Sequence, residues 1–184
     1  LGKCMATEPI RVTTVLNFFA EPWKLDWYAK NGKAYCNKVG KAAMKVGSRV
    51  DELIKDNPYL QQVRITPQMK EKEEVKNCVL AYEKWQRVYN PKSITPCTRL
   101  FANIDGHEVT GEPDLIVDDV LVDLKCSSKI SPSYWVQVNM YSLLRNMVGN
   151  NLSFNTVHTI LNVKTPHKVG ILRLDKQTAS YEYV

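Results

Sequence analysis

The chain has 184 residues, of which 44% are hydrophobic and 24% charged, and its formal net charge is +6. These values are typical of a globular protein with enough residues to bury a core in one domain. No apolar run approaches the roughly 20 residues that cross a bilayer, and no secretory signal pattern opens the chain. We therefore expect an intracellular protein, in the cytoplasm or a nucleus, with no membrane partner.

The basic charge balance, with a pI near 9.0, favours a polyanionic partner such as nucleic acid. The cysteines are dispersed and odd in number, which predicts reduced thiols rather than a disulfide framework. A zinc or iron–sulfur site assembled from distant cysteines is the less favoured alternative. The five cysteines are Cys4, Cys36, Cys78, Cys97 and Cys126.

The first half of the chain predicts helices. An aromatic segment over residues 13–28 has helical spacing of its apolar side chains, and a connection over residues 30–41 follows it. A second helix is predicted over Ala42–Lys55. A third is predicted to begin at Thr66-Pro67, with proline in its first turn, and to end near Tyr89.

The second half predicts a sheet. A strand to Ile104 is followed by an Asp-Gly turn signal, and the return strand leads through further strands to Cys126 as a meander. The fold class is therefore mixed α/β (α+β) in a single domain, 1–184, with a helical region over residues 1–95 and a sheet-centred region over residues 96–184. The remaining predicted elements are strands Thr98–Ile104 and His107–Thr110, a helix from Pro132 to about Met147, and strands Val157–Val163 and Val169–Leu174.

A hairpin with opposed carboxylates is the most informative local pattern. Apolar runs flank Asp118-Asp119, a dipeptide that favours a two-residue turn. In that register Val117 pairs with Val120, and counting outward places Asp114 opposite Asp123. Like charges at opposed positions are destabilising. The hairpin therefore predicts a cation between the two carboxylates.

A lysine lies on the same strand face as one of these aspartates. Asp123 and Lys125 are two residues apart, so both point to one side of a strand. The same spacing in Glu74-Val75-Lys76 falls on a predicted helix, where the two side chains diverge. Glu112 is predicted opposite Lys125, where it forms an ion pair with the lysine or joins the acidic site. The alternative is a solvent-facing strand with an ordinary charge pair.

The chemistry that suits this pattern is that of a hard divalent ion. Asp114, Asp123 and the Leu124 carbonyl offer the oxygen ligands that Mg²⁺ takes, and substrate phosphate and water complete its coordination. Lys125 would hold or deprotonate an attacking water, or stabilise charge on phosphoryl oxygens. The three histidines form no close-spaced zinc motif.

The predicted helix after this strand carries Gln137 and Tyr141, four residues apart and therefore on one helical face. They either line the same site, or Tyr141 belongs to the core and Gln137 to its polar edge. Together the three motifs resemble the PD-(D/E)XK nuclease superfamily, and most closely its RecB-type branch, which includes CRISPR-associated exonucleases and is related to lambda exonuclease. The motifs are Gly111…Asp114, Asp123-Leu124-Lys125 and Gln137…Tyr141.

The resemblance implies a restriction-endonuclease-like core, with a central mixed sheet flanked by helices in the order αβββαβ after extra N-terminal helices. It implies that Asp114 and Asp123 are metal ligands and that Leu124 is a ligand through its carbonyl. Lys125 would be the catalytic lysine. The helix residues Gln137 and Tyr141 would line the site.

Two departures from the branch are visible. In Gly47-Ser48-Arg49-Val50-Asp51 the branch usually has histidine where this chain has Asp51. Aspartate can ligate Mg²⁺ or Mn²⁺, so Asp51 is predicted as a third metal ligand, with a surface helix aspartate as the alternative. The CRISPR-associated members also carry a cysteine cluster after the glutamine–tyrosine helix. No cysteine follows Cys126, so an iron–sulfur cluster is not expected.

The expected function is a Mg²⁺- or Mn²⁺-dependent deoxyribonuclease, an exonuclease of DNA recombination, repair or replication processing. Its partners would be single- or double-stranded DNA, with a homo-oligomer or a helicase or recombination protein as further candidates. The alternatives are a structure-specific or restriction-type endonuclease and a non-catalytic nucleic-acid-binding protein. Four basic residues either follow a nucleic-acid backbone or form a solvated face: Lys38, Lys41, Lys45 and Arg49.

Overall fold

The computed structural model describes residues 8–17, 22–59, 72–149 and 168–184. Within these ranges the chain has a mixed α/β architecture, with helices on both faces of the larger of two mixed sheets. No described helix combines the length and the apolar character that a membrane crossing requires. The described helices are α1 (Val12–Leu16), α2 (Pro22–Asn31), α3 (Lys33–Asp56), α4 (Glu73–Tyr89) and α5 (Pro132–Gly149).

Each sheet contains both parallel and antiparallel pairs. In the smaller sheet, in the order β1-β4-β3, the first pair is parallel and the second antiparallel. In the larger sheet, in the order β2-β5-β6-β7-β8, only the central β6–β7 pair is parallel. The strands are β1 (Ile10–Arg11), β2 (Ile94–Pro96), β3 (Leu100–Ile104), β4 (His107–Gly111), β5 (Leu115–Val117), β6 (Val120–Cys126), β7 (Val169–Leu174) and β8 (Tyr181–Tyr183).

The two faces of β6 point into two separate hydrophobic clusters. Val122 and Leu124 pack with the buried side chains of α3 and α4, including Trp85. Leu121 packs with α1 and α5, where Tyr141 is buried. Because alternate residues of a strand point to opposite faces, Asp123 lies on the α5 side of the sheet.

The hairpin register predicted from the sequence is confirmed. Val117 pairs with Val120, and Leu115 with Val122. Both residues of the Asp118-Asp119 turn have positive φ, 47° and 69°, which is the conformation of a two-residue turn whose twist matches its strands. One step beyond the last paired residues, the chain positions of Asp114 and Asp123 face each other.

The predicted boundaries of the helical region need correction. Residues 33–41 were predicted as a connection but belong to α3, because Gly32 at φ 78° completes the turn between α2 and α3 in one residue. The third helix begins at Glu73, not at Thr66: Lys72 is extended, with ψ 147°. Residues 66–71 lie outside the described ranges. The helix ends after Tyr89, as predicted.

The predicted meander is also wrong at one point. β4 pairs with β1 and β3, whereas β5 begins the hairpin of the larger sheet. Pro113 lies between them, and proline cannot donate a ladder hydrogen bond, so the chain passes from one sheet to the other there. Strand Val169–Leu174 is confirmed, and the predicted strand Val157–Val163 lies outside the described residues.

Candidate active site

One cavity of about 280 Å³ brings together every residue that the sequence predicted for the site. It lies between the end of α3, the β5–β6 hairpin and α5. We call it the acidic cavity, because three aspartates contribute to its wall. Its lining residues are Gly47, Ser48, Val50, Asp51, Asp114, Asp123, Leu124, Lys125, Cys126, Gln137 and Tyr141.

The hairpin supplies the centre of the acidic cavity. Asp114 Oδ2 accepts a hydrogen bond of 2.7 Å from the backbone N–H of Leu124. In a strand the N–H and C=O of one residue point to the same edge, so the Leu124 carbonyl also faces the Asp114 side. Asp123 is only 2% exposed. Two carboxylates and a carbonyl thus converge on one place.

Burial and mutual repulsion disfavour the charged forms of these two carboxyl groups. Burial, followed by the neighbouring charge of Asp123, raises the pKa of Asp114 to about 6. Burial also raises the pKa of Asp123, although Lys125 opposes the shift. The pair therefore holds a proton more readily than isolated aspartates do, unless a cation compensates the charge.

Lys125 is the nearest cation to the hairpin carboxylates. Its Nζ lies 2.5 Å from Asp123 Oδ2 and 5.2 Å from the ring centroid of Tyr134. Burial alone would lower the pKa of Lys125, but the carboxylates of Asp123 and Asp114 outweigh burial and raise it. The side chain is therefore an ammonium group at neutral pH, a donor of hydrogen bonds rather than a base.

Asp51 joins the same cavity from α3. Burial, followed by the charge of Asp114, raises the pKa of Asp51 to about 6. Its Oδ1 atom is buried without a hydrogen-bond partner. The structure places Asp51 beside Asp114, with its side chain still 36% exposed.

Lys55 is the functional neighbour that the sequence reasoning missed. Its Nζ lies 3.1 Å from Asp51 Oδ2 and 3.5 Å from both Asp114 Oδ1 and Glu112 Oε1. Burial would lower the pKa of Lys55, but Asp114 and Asp51 raise it. The signal was present in the sequence, because Asp51 and Lys55 are four apart and thus adjacent on a helix.

The predicted ion pair between Glu112 and Lys125 is wrong. Arg99 donates two hydrogen bonds to Glu112 Oε2, at 2.9 and 3.1 Å, and Lys55 contacts the other oxygen. The paired section of the hairpin ends at Leu115, so strand register no longer determines where Glu112 points. Burial alone would raise the pKa of Glu112, but Arg99 and Lys55 lower it.

The helix α5 closes the cavity with two polar groups on one face. Gln137 Nε2 donates a 2.8 Å hydrogen bond to the Tyr141 hydroxyl. Burial, followed by the charge of Asp123, raises the pKa of Tyr141 to about 12. Tyr141 is only 4% exposed, packs in a hydrophobic cluster and also lines the cavity.

The tyrosine ring also explains the glycine of the first motif. A Cβ atom added to Gly111 would lie 2.7 Å from Cε1 and 2.8 Å from Cδ1 of Tyr141. Real Cβ atoms do not approach ring carbons so closely. Gly111 therefore allows the ring of Tyr141 to pack directly on the backbone of β4.

Whether these residues suit a metal ion can be tested on the donor atoms. Across the described ranges, no three His, Cys, Asp or Glu side chains form a preset metal cluster, and the ammonium groups of Lys55 and Lys125 lie against the carboxylates. Asp51 Oδ1 is nevertheless buried without a hydrogen bond, and Asp123 Oδ2 has the Lys125 ammonium against it. With Asp114 and the Leu124 carbonyl they are hard oxygen donors, which is the set that Mg²⁺ and Mn²⁺ take. The donor set fits such an ion.

Two further concavities border the acidic cavity. Tyr141 is shared with a cavity of about 200 Å³, and Ser48 is shared with a groove of about 630 Å³ along α3. The smaller cavity is lined by Arg11, Val12, Thr13, Arg99, Thr110, Gly111, Glu112 and Tyr141. The groove, here called the basic groove, is lined by Lys41, Met44, Lys45, Ser48, Arg49 and Glu52.

No protein-family model matches this chain, and none of the curated proteins compared with it is significantly similar. The function of the site therefore has to be argued from its residues and their geometry.

Proposed function

We propose that the protein is a Mg²⁺- or Mn²⁺-dependent DNA nuclease of the PD-(D/E)XK type that hydrolyses phosphodiester bonds as an exonuclease. The observation that carries this proposal is the convergence of Asp114, Asp123 and Lys125 in one cavity. The mixed sheet between α3/α4 and α5 is consistent with a restriction-endonuclease-like core. The chemistry of the donor atoms supports the same assignment.

Each residue of the acidic cavity has a role in this reaction. Asp51, Asp114, Asp123 and the Leu124 carbonyl would hold the divalent ion. When bound, such an ion polarises the scissile phosphate and lowers the pKa of a coordinated water. The ionised carboxylates would balance the positive charge of the divalent ion.

Lys125 acts as a cation in this reaction. Because neighbouring carboxylates raise its pKa, its ammonium group orients the attacking water and stabilises negative charge on the phosphoryl oxygens. Its contact with Asp123 fixes the ammonium beside the metal-binding oxygens.

Gln137 and Tyr141 position the reacting phosphate. The Tyr141 hydroxyl accepts its hydrogen bond from Gln137, so its own proton is available to a phosphate oxygen in the cavity. A pKa of about 12 keeps this hydroxyl protonated at neutral pH. The pair therefore supplies a neutral donor on the side of the cavity opposite α3.

A non-catalytic nucleic-acid-binding protein is disfavoured by the same carboxylates. Three aspartates in the wall of one cavity repel phosphate unless a cation lies between. Burial of these groups also costs free energy without a benefit for binding. Catalysis with a divalent ion would account for three aspartates in one cavity.

One observation favours an endonuclease as the second candidate. Among the described residues, the acidic cavity shares one lining residue with each of two further concavities, Ser48 with the basic groove and Tyr141 with the smaller cavity. A strand can thus extend in both directions from the cleavage point. Cleavage of circular DNA would identify this activity.

The decisive experiment incubates the purified protein with Mn²⁺ or Mg²⁺ and end-labelled linear single-stranded, linear duplex and circular DNA. We expect cleavage by the wild type and a loss of at least a hundredfold in Lys125→Ala, within the range that one catalytic group contributes. The matched control is Lys76→Ala. That lysine has the same acid-x-lysine spacing but lies on α4, beside Glu73.

Retention of full activity in Lys125→Ala would overturn the catalytic assignment. Absence of cleavage of every substrate with either ion would favour the binding-protein alternative. Degradation confined to linear DNA supports an exonuclease, whereas cleavage of the circular substrate supports the endonuclease.

A further inference from the structure

The basic groove follows one face of α3 towards the acidic cavity. Lys41, Lys45 and Arg49 are spaced four residues apart, so their side chains share one face of the helix. They line the groove together with Ser48. Lys41 and Asp51 are ten residues apart in the same helix, about 15 Å along its axis. The groove is thus a basic surface along the helix that also carries Asp51.

The groove and the acidic cavity adjoin at one residue. Ser48 lines both, and Asp51 lies three residues later on the same helix. A polymer in the groove would therefore lead directly to the carboxylates.

The charges in the groove are unbalanced. Lys41 and Lys45 are exposed, and no described carboxylate lies within ion-pair distance of either. Arg49 binds Glu52 at 2.7 Å. Like charges one helical turn apart repel each other, so the two lysines gain from an anionic partner. Met44, which is 72% exposed, adds an apolar surface next to them.

We propose that the basic groove binds the sugar–phosphate backbone of the polynucleotide strand whose scissile phosphate enters the acidic cavity. Lys41 and Lys45 contact phosphates on one side of the cleavage point, and Met44 contacts the sugars or bases between them. This inference rests on the proposed nuclease function, because it identifies the bound polymer as the substrate.

The basic groove offsets the negative charge of the acidic cavity in attracting a polynucleotide. Three aspartates and one lysine line the acidic cavity, so ionised carboxylates outnumber cations there and weaken its attraction for phosphate before a metal ion is bound. Attraction for the strand has to come from cations outside it. The groove supplies them at a distance where they do not neutralise the metal-binding carboxylates.

The test measures binding of a fluorescent single-stranded oligonucleotide by anisotropy, in EDTA and over a series of salt concentrations. Each phosphate contact contributes about −0.7 to the slope of log K against log salt for single strands. We therefore expect the double variant Lys41→Ala/Lys45→Ala to have a slope smaller in magnitude by about 1.4, together with weaker binding at low salt.

The matched control is Lys76→Ala/Lys92→Ala, which removes the same charge from lysines that line none of the three concavities described. Its slope should equal that of the wild type. Equal slopes in both double variants, or no binding of the oligonucleotide by the wild type at low salt, would overturn the proposal.

Cleavage kinetics separate this proposal from the proposed function. With Mn²⁺ and the same oligonucleotide, the groove variant should raise KM and leave kcat near that of the wild type. Unchanged KM with normal cleavage rejects the groove and keeps the nuclease. If the salt-dependence slope of the groove variant falls as expected but the wild type cleaves nothing, the nuclease function is rejected. The groove is then a binding site for nucleic acid without catalysis.

Discussion

The ammonium group of Lys55 lies 3.1 Å from Oδ2 of Asp51, which is one helical turn earlier in α3. The same Nζ atom contacts Asp114 and Glu112, each at 3.5 Å. Lys55 therefore links α3 to the segment that enters the hairpin. It is not among the residues that line the acidic cavity. It compensates carboxylate charge that would otherwise depend on a metal ion.

Lys55→Ala should make the protein depend more strongly on divalent ions. Without the ammonium group, repulsion between Asp51 and Asp114 is less compensated, and we expect the free energy of unfolding at neutral pH to fall by about 1–3 kcal/mol in EDTA. Mn²⁺ should restore more stability to the variant than to the wild type. Thermal denaturation with and without Mn²⁺ measures both effects.

The control for this comparison is Lys84→Ala, which removes a lysine that, among the described residues, donates to the Ala179 carbonyl oxygen and to no carboxylate. Its response to Mn²⁺ should match that of the wild type. If Mn²⁺ raises the melting temperature of Lys55→Ala by no more than that of the wild type, Lys55 does not share its carboxylates with a metal ion.

The raised pKa values of Asp51 and Asp114, both about 6, predict opposite pH dependences with and without metal. A carboxyl group whose pKa is raised by folding stabilises the folded state at low pH, and this contribution is lost as pH rises from about 4 through 6. Mn²⁺ binds the ionised carboxylates. Its stabilising effect should therefore be larger at about pH 7.5 than at about pH 5.

Asp51→Asn isolates the contribution of one of these groups. The variant keeps the side-chain size but does not titrate, so its stability in EDTA should vary less over the same pH range. Its gain in melting temperature with Mn²⁺ should also be smaller than that of the wild type. An equal gain for both proteins at both pH values would exclude Asp51 as a ligand.

The hairpin could be predicted from the sequence because its determinants are local. A turn dipeptide sets the register, and strand alternation then fixes which side chains share a face, as for Asp123 and Lys125. The positions of Lys55 and Arg99 could not be derived in this way. Their contacts with Glu112 depend on how α3 and β3 pack against the hairpin, and local spacing does not specify that packing.

The division into two sheets was missed for a related reason. The alternation of β4 and β5 looks continuous in the sequence, and only tertiary contacts show that each pairs with a different strand. Pro113 was the available signal, because it cannot continue a ladder. The need for glycine at position 111 is a similar case, because it arises from contact with Tyr141, thirty residues later in the chain.

Gly111→Ala should displace Tyr141 and disturb the site. The added Cβ would lie 2.7 Å from a ring carbon, and the buried ring has little room to move. We expect a loss of about 1–3 kcal/mol in the free energy of unfolding, as for other overpacked cores. Urea denaturation measures the loss, and nuclease activity should fall with it.

Gly40→Ala is the matched control for this glycine. It lies inside α3, where an added Cβ would meet no atom within 4 Å. Alanine is the better helix former, so this variant should be more stable by about 0.5–1 kcal/mol. Equal effects of the two substitutions would contradict the contact between Gly111 and Tyr141.

Asp119→Gly should stabilise the hairpin without affecting the site. Asp119 has φ 69°, a conformation that costs an L-residue with a Cβ atom but not glycine, and Asp-Gly is the preferred pair for this turn. We expect a gain of about 0.5–1 kcal/mol in the free energy of unfolding, because the relief of strain exceeds the greater entropy of glycine in the unfolded chain.

Asp118→Gly should have the opposite effect, although Asp118 also has positive φ. Its carboxylate accepts hydrogen bonds from the backbone N–H groups of Ser93, at 2.8 Å, and Lys92, at 3.2 Å. Their loss should cost about 1 kcal/mol. Urea denaturation of both variants compares the two contributions within one turn, and a gain from Asp118→Gly would show that strain at this position outweighs its hydrogen bonds.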